Sequence, residues 1–189
     1  MVAMMIENVI QQFPRYFSNV VKKQSRVPLR IQVGPYILKL AESRKEMLEC
    51  FRLRHDIFFV EMAGYEKRSK MDFDKFDSFC DHLIIVHEET NSIVGTYRLN
   101  FSENSKEFYT STEFDISNWL NEQTSPFVEL GRACIAKEHR RGIVISLLWR
   151  GIVEYMNLRG VNRLIGCSSV KVSDARSAAL IYKYFELKG

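Results

Sequence analysis

One segment of the sequence has the arrangement of a phosphate-binding site. Residues 127–136 are mostly apolar and predict a β-strand, and residues 139–142 then form a basic turn that ends in a glycine. A helix predicted from about residue 143 to residue 158 follows directly. Its first backbone N–H groups and the positive end of its dipole would point at this turn. The segment therefore predicts an anion site.

A second segment with chemical potential is the polar stretch of residues 65–80. In it, three aspartates alternate with three phenylalanines: Asp72, Asp74 and Asp77 with Phe73, Phe76 and Phe79. The stretch lacks the glycine and the closing glutamate of an EF-hand, so it is not a calcium loop. It predicts an irregular loop that carries function.

The elements around these segments predict one mixed α/β sheet flanked by helices. Residues 31–40 predict a strand, and Ser43 with Glu46 three residues later forms a capping box that opens a helix. Residues 82–87 and 92–101 predict a β-hairpin, and residues 163–168 predict another short strand. Two further helices are expected, one closed by Gly160 and a last one capped by Asp174. This order favours a mixed sheet with helical layers.

The chain divides into a short N-terminal segment and one domain. Residues 1–27 predict an amphipathic helix, or two short ones bent at Pro14, because isoleucine, valine and phenylalanine recur at helical spacing. This helix would pack on the domain or on a second subunit, or make peripheral contact with a membrane surface. Residues 28–189 predict the single globular domain.

Composition excludes several classes of protein. Of the 189 residues 46% are hydrophobic and 26% are charged, which is ordinary for a globular protein. No apolar run is long enough to span a bilayer and no signal peptide is recognisable, so the cytoplasm is the expected compartment. The net charge of +4 comes with no nucleic-acid motif, which leaves an acidic protein partner open. The four cysteines have neither disulfide nor zinc spacing and are expected to be buried thiols.

The order of elements and the strand–turn–helix segment resemble GNAT acyltransferases. The finer pattern is similar to the branch that contains long-chain N-acyl amino acid synthases, ornithine-lipid N-acyltransferases and, more distantly, acyl-homoserine-lactone synthases. The resemblance runs from about residue 52 to residue 169. Its motifs are Arg52-Leu53-Arg54 with Phe58, Phe59 and Glu61; Asp72, Asp74 and Asp77; Cys80-Asp81-His82; residues 95–99; Glu129-Leu130-Gly131-Arg132; residues 147–151; and residues 166–169.

The resemblance implies a GNAT fold and an enzyme that moves a long fatty-acyl group from acyl carrier protein to the α-amine of an amino acid. The expected catalytic residues are Glu129, as general base, and Arg132. The expected acceptor-binding residues are Arg54, Asp72, Asp74 and Arg98. The expected contacts to the donor phosphopantetheine and its carrier are Lys137, Arg140, Arg141 and Gly142. No bound cofactor and no metal are expected, because the acyl-phosphopantetheine is itself a substrate.

The turn departs from the related acetyltransferases in a way that bears on the donor. Those enzymes carry several small residues that let the backbone wrap the pyrophosphate of coenzyme A, whereas only Gly142 is kept here, followed by bulky Ile143 and Val144. A carrier-bound phosphopantetheine has one phosphodiester and needs less wrapping. The turn therefore favours acyl carrier protein, and Arg159, Arg163 and Lys171 are expected to extend its basic docking face.

Several alternatives remain at the level of the sequence. Glu129 would have only a structural role if it formed a salt bridge with Arg132 or Arg98, and the arginines and aspartates could be plain ion pairs. His82 and Cys134 are interpreted as core residues rather than as a base and a nucleophile. The chain's length favours a free amino acid such as tyrosine as acceptor. The alternatives are an ornithine N-acyltransferase, a homoserine-lactone synthase, or a non-catalytic module that binds acyl carrier protein or lipid.

Overall fold

A computed structural model describes residues 27–140, 142–170 and 172–188. Six strands form one sheet in chain order, with β1 to β5 antiparallel and β6 parallel to β5. The strands are β1 (Arg30–Val33), β2 (Tyr36–Leu40), β3 (Asp81–His87), β4 (Ser92–Phe101), β5 (Val128–Ile135) and β6 (Leu164–Gly166). This confirms the predicted mixed sheet. The predicted N-terminal amphipathic helix, residues 1–27, lies outside the described residues except for its last position.

In the described part of the chain, five helices accompany the sheet: α1 (Arg44–His55), α2 (Thr110–Glu113), α3 (Ser117–Glu122), α4 (Ile143–Arg159) and α5 (Ala175–Lys188). A π-helical turn, Asp56–Glu61, continues α1, and 3-10 turns occupy Lys75–Ser78 and Lys137–His139. The predicted capping box opens α1, because Ser43 Oγ accepts from Glu46 N at 3.2 Å and Glu46 Oε2 accepts from Ser43 N at 3.0 Å. None of the helices formed by the described residues is long and apolar enough to cross a bilayer.

The prediction of one strand over residues 31–40 was wrong. The structure has the hairpin of β1 and β2 there, with Val33 paired to Tyr36 across a two-residue turn. Gly34 has a φ of +55°, which favours glycine, and Pro35 has no backbone N–H to donate to the hydrogen bonds between strands. These two adjacent residues therefore end one strand and start the next.

Helices cover both faces of the sheet. The inward face of α4 packs on one side against strand residues such as Leu38, Leu83 and Val128. On the other side, α1 packs through Phe51 onto the 65–80 loop and through Cys50 onto β3 and β4. A Cβ at Gly151 would come within 2.5 Å of Leu38, so only a glycine lets α4 lie this close to β2.

The two parallel strands β5 and β6 stay paired over only three residue pairs, Val128–Leu164, Glu129–Ile165 and Leu130–Gly166. A Cβ at Gly166 would lie 2.7 Å from Leu130 O, which explains a glycine at the last pair. Beyond this pair β5 continues while β6 ends. The sheet therefore opens at this point.

Candidate active site

A cavity of about 720 Å³ lies where β5 and β6 separate. Residues 130–133 of β5 form one wall, and residues 164–168 in and after β6 form another. Tyr97, Trp119 and Trp149 add aromatic surface from β4, α3 and α4. The cavity is an apolar cleft with polar groups at its edge, as ligand sites generally are.

A β-bulge interrupts β5 beside this cavity. Gly131 pairs with Arg98 and Cys134 pairs with Thr96, so Arg132 and Ala133 together stand opposite Tyr97 alone. Arg132 has a φ of +51°, in the left-handed region that a non-glycine residue seldom adopts. A bulge disrupts the hydrogen-bond ladder and redirects side chains, and it often occurs next to active sites.

The predicted anion site has the expected backbone arrangement. β5 runs through the Lys137–His139 turn to Gly142, which precedes α4 with a φ of +81°. Among the described residues no side chain caps α4, and no acidic residue lies in its first turn, so its first N–H groups are available to an anion. Lys137 is exposed beside it, whereas Arg141 lies outside the described residues.

Arg140 is already engaged. Its Nη2 donates to Glu61 Oε2 at 2.8 Å, its Nη1 donates to Glu61 Oε1, and its Nε donates to Ile135 O at 2.9 Å. The hydrogen bonds from Arg140 lower the pKa of Glu61. The guanidinium thus braces the turn against the end of the π-helical segment, and a donor phosphate would have to compete with Glu61 for it.

The structure describes two of the three residues that were expected to extend the basic face. Arg159 Nη2 donates to Asp81 Oδ2 at 3.2 Å, so its charge is paired. Arg163 is exposed but donates to Gln123 at 2.7 Å. Lys171 lies outside the described residues. Among the predicted basic residues that the structure describes, only Lys137 is exposed with no hydrogen bond or ion pair.

The predicted charged network is present and is larger than expected. Arg54 Nε donates to Asp72 Oδ2 at 2.9 Å, and its two Nη atoms donate to Asp77 at 2.7 and 3.1 Å. Arg98 Nη1 donates to Asp74 Oδ1 at 2.6 Å and to Asp77 Oδ1 at 3.2 Å. Three arginines and three aspartates, the third arginine being Arg132, thus form one cluster that joins α1, the 65–80 loop, β4 and β5.

Asp77 is the member that was not predicted as a site residue. Burial alone would raise its pKa, but the charges of Arg54, His82 and Arg98 outweigh burial and hold the pKa well below its usual range. Asp77 also accepts from Asp74 N at 2.7 Å, which closes the capping box of the Lys75–Ser78 turn. The Asp74–Asp77 spacing is the local signal that could have identified it.

Burial divides this cluster into two parts. The side chains of Arg54, Asp72, Asp77 and Arg98 are at most 4% exposed, so they can only hold other groups in place. The side chains of Arg132 and Asp74 are 28% and 23% exposed. Arg132 also lines the cavity. Of the six side chains, only these two are partly exposed.

Glu129 is buried and anchors α2. Its carboxylate accepts from Thr110 N at 2.6 Å, from Tyr109 N at 3.0 Å and from Asn100 Nδ2 at 3.3 Å. Within the described part of the chain it forms no ion pair with Arg98 or Arg132, so the salt bridge considered from the sequence does not form. Thr110 lines the cavity, which places Glu129 directly behind the cavity wall.

The remaining candidate groups are mostly core residues, as predicted. His82 and Cys134 are buried; burial lowers the pKa of His82 to about 4 and raises the pKa of Cys134. The expectation of four buried thiols was wrong for Cys167, which is exposed at the cavity because β6 ends one residue before it. Among the described residues no group of three or more His, Cys, Asp or Glu side chains could hold a metal ion.

Comparison with known proteins places these observations in a family. Residues 53–150 match the family model described as an acetyltransferase (GNAT) domain. The chain is 32% identical to the L-ornithine N(alpha)-acyltransferase of Brucella abortus (strain 2308), over 73% of this chain and 54% of that protein. It is 33% identical to the protein of the same name from Agrobacterium fabrum, over 73% of this chain and 52% of that protein. The chain thus spans about half the length of the curated relatives it matches.

Two solved structures share the fold. The crystal structure of the AHL synthase LasI matches with a TM-score of 0.52 and 15% identity, over 78% of this chain and 77% of that chain. The structure of the CoA-dependent acyl-homoserine lactone synthase BjaI matches with a TM-score of 0.50 and 20% identity, over 65% of this chain and 58% of that chain. At these identities the likeness concerns the fold alone.

Proposed function

The chain belongs to the GNAT acetyltransferase family, and on this premise we propose that it is an N-acyltransferase that moves a fatty-acyl group from acyl carrier protein to the α-amine of an amino acid. The cavity between β5 and β6 carries this proposal. Strand β5 connects the cavity to the predicted anion site, because its residues 130–133 line the cavity and its end leads into the turn before α4. A thioester in the cavity would therefore lie beside Arg132, on the strand that leads to the phosphate site, and Asp74 contacts Arg132 there.

The reaction needs an amine without its extra proton, a polarised carbonyl and close contact between them. The amine nitrogen attacks the thioester carbon, the tetrahedral intermediate expels the thiolate, and the thiolate takes up a proton as the amide forms. Backbone N–H groups at the bulge of β5 would polarise the carbonyl oxygen. Glu129 is the proposed proton acceptor, acting from behind Thr110, and the aromatic walls of the cavity would take the acyl chain.

L-Ornithine is the acceptor to test first. Relatives from several bacteria are named L-ornithine N(alpha)-acyltransferases, which favours this alternative over the tyrosine-like acceptor expected from the length of the chain. Because the chain spans only half of those relatives, the acceptor has to be measured on this protein itself. L-Tyrosine belongs in the same assay.

Acyl carrier protein is the proposed donor because the turn before α4 is poorly suited to a pyrophosphate. Gly142 is followed by Ile143, which is 44% exposed and stands where small residues would let the protein backbone wrap the pyrophosphate of coenzyme A. We expect long-chain acyl carrier protein to have a much higher kcat/KM than the matching acyl-coenzyme A. Equal values for both donors would refute this interpretation of the turn.

The decisive experiment follows thiol release and product mass together. Purified protein is incubated with palmitoyl carrier protein and either L-ornithine or L-tyrosine, and the products are identified by mass spectrometry. An amide mass with stoichiometric release of carrier thiol supports the proposal. Binding of the acylated carrier without thiol release in the presence of any amino acid would instead favour the non-catalytic module. Lipid extracts of expressing cells give an independent product mass.

A further inference from the structure

Two opposite charges stand side by side next to the cavity, because Arg132 lines it and Asp74 contacts Arg132. Arg132 Nη2 donates to Asp74 Oδ2 at 3.2 Å, and both side chains keep about a quarter of their surface exposed. The four remaining members of the cluster are buried and bond to one another and to Asp74. The cluster thus leaves one cation and one anion partly exposed and buries the rest.

Both exposed side chains have hydrogen-bonding capacity left. Arg132 Nη1 donates to no residue that the structure describes, whereas Arg132 Nε is buried 3.3 Å from Asp72 Oδ2 without a hydrogen bond. Asp74 Oδ2 accepts only from Arg132 within the described residues, whereas Oδ1 accepts from Arg98 and from Phe76 N. A carboxylate oxygen can accept two hydrogen bonds. Arg132 can therefore still donate and Asp74 can still accept.

The side chain of Arg132 is held in one orientation. Its guanidinium carbon lies 5.8 Å from the centre of the Phe58 ring and 5.5 Å from the centre of the Tyr109 ring, within the range of cation–π contact. The left-handed backbone of the bulge directs it there at an energetic cost, and such strain persists where the surrounding structure requires it. A fixed guanidinium with free N–H groups is suited to a planar carboxylate.

We propose that Arg132 and Asp74 recognise the acceptor as a zwitterion, with the α-carboxylate on Arg132 and the α-ammonium on Asp74. This rests on the proposed acyl transfer to an amino acid and names how that amino acid is selected. One carbon separates the two charges of an α-amino acid, which matches two opposite charges in contact. Arg54, Asp72, Asp77 and Arg98 are positioning residues that hold the pair and touch no substrate.

The substrate class follows from this pair. An α-amino acid satisfies both charges, whereas its carboxamide leaves Arg132 without an anion and its α-deamino analogue leaves Asp74 without a cation. Losing a hydrogen-bonded charge contact lowers affinity by about 10- to 100-fold. The protein should therefore bind amino acids at least about 10-fold more tightly than either analogue.

The test measures acceptor binding without donor, by isothermal titration, for two matched sets of probes. One set is L-ornithine, L-ornithinamide and 5-aminopentanoate; the other is L-tyrosine, L-tyrosinamide and 3-(4-hydroxyphenyl)propanoate. For at least one set the parent protein should prefer the amino acid to both analogues. Arg132→Gln should abolish the preference over the carboxamide and keep the preference over the deamino analogue, and Asp74→Asn should do the reverse.

Lys45→Gln is the matched control, because it removes a positive charge at the opposite, exposed end of α1. It should keep both preferences. If the pair had a purely structural role, each variant would bind all three probes of a set more weakly and by the same factor, and that result would overturn the proposal. So would a parent protein that prefers neither amino acid to its carboxamide.

Turnover separates this proposal from the proposed function. If the preferences are found but no amino acid is acylated, recognition stands and the acyl transfer fails. If amines are acylated equally well with and without a carboxylate, the acyl transfer stands and zwitterion recognition fails. In Arg132→Gln, the ratio of kcat/KM for the amino acid to kcat/KM for its carboxamide must change by the same factor as the ratio of their affinities.

Discussion

Removing Arg54 should destabilise the protein strongly, because the guanidinium is fully buried between two carboxylates. Arg54→Met keeps a side chain of similar length but deletes three hydrogen bonds to Asp72 and Asp77. Asp77 would keep Arg98 Nη1 at 3.2 Å and Asp74 N at 2.7 Å. Two carboxylates would then share fewer positive charges in a site without water access.

The expected loss of unfolding free energy is about 3 to 5 kcal/mol, the usual effect of removing one partner from a buried ion pair. For a domain of this size each kcal/mol lowers Tm by about 2 to 4 °C, so the melting temperature should fall by about 6 to 20 °C. Arg54→Lys restores the charge but not the fork that reaches both aspartates. It should recover only part of the loss.

The loss should also depend on pH, with a sign that follows from Asp77. Its pKa in the folded protein lies below the unfolded value, so its contribution is present above the unfolded pKa of about 4 and is lost as the pH falls below it. Arg54→Met raises the folded-state pKa and shrinks this contribution. The difference between parent and variant should therefore be largest near neutral pH and smaller in acid.

Urea denaturation followed by circular dichroism measures these values at pH 7 and pH 3. Lys45→Met, an exposed change in the same helix, controls for the loss of a positive charge and should cost less than about 1 kcal/mol. If Arg54→Met also costs less than about 1 kcal/mol, with an unchanged urea slope, the buried cluster does not hold the loop and the reasoning is refuted.

Three further predictions concern single side chains. Burial lowers the pKa of His82 to about 4, whereas the same side chain in the unfolded protein binds a proton with a pKa of about 6.5. The unfolding free energy should therefore fall by about 2 to 3 kcal/mol between pH 6.5 and pH 4. An equal fall in His82→Leu would contradict this explanation. Glu129→Gln should slow turnover by about 100-fold or more. The new glutamine must also place an amide N–H₂ against the backbone N–H of Tyr109 or Thr110, so kcat is compared at equal folded fraction, measured by circular dichroism. A near-normal kcat would exclude Glu129 as the general base. If Arg140 binds the donor phosphate, Arg140→Gln should raise the KM for acyl carrier protein and Glu61→Gln should lower it by freeing the guanidinium, with the acceptor KM unchanged in both; a rise in both variants would show that the pair only braces the turn.

Local signals in the sequence were enough for the elements of the fold. The capping box of Ser43 and Glu46, the left-handed Gly160 that ends α4, and the Asp174 cap of α5 appear in the structure as predicted. Each signal involves residues within a few positions, so the chain's own local geometry decides it. Gly34, which ends β1, was missed although its signal is equally local.

The residue types of the site were also readable, because the spacing of acidic and basic residues in the 65–80 loop and in β5 is a property of the chain alone. Their partners were not. Arg140 is bonded to Glu61, 79 positions earlier, and Glu129 to backbone N–H groups 19 and 20 positions earlier. Such contacts exist only after β5 and the turn that follows it have packed against α2 and the π-helical segment.

The exposure of each charged side chain depends on the tertiary structure alone. From the sequence, Arg54, Arg98 and Arg132 are equivalent charges, and so are the aspartates. Packing of α1 onto β4 buries Arg54 and Arg98, while the bulge of β5 carries Arg132 to the cavity. The sequence by itself therefore indicated every charge of this cluster except Asp77. Only the folded chain determined which two of them stay partly exposed, because burial depends on what lies around a side chain and not on its neighbours in the sequence.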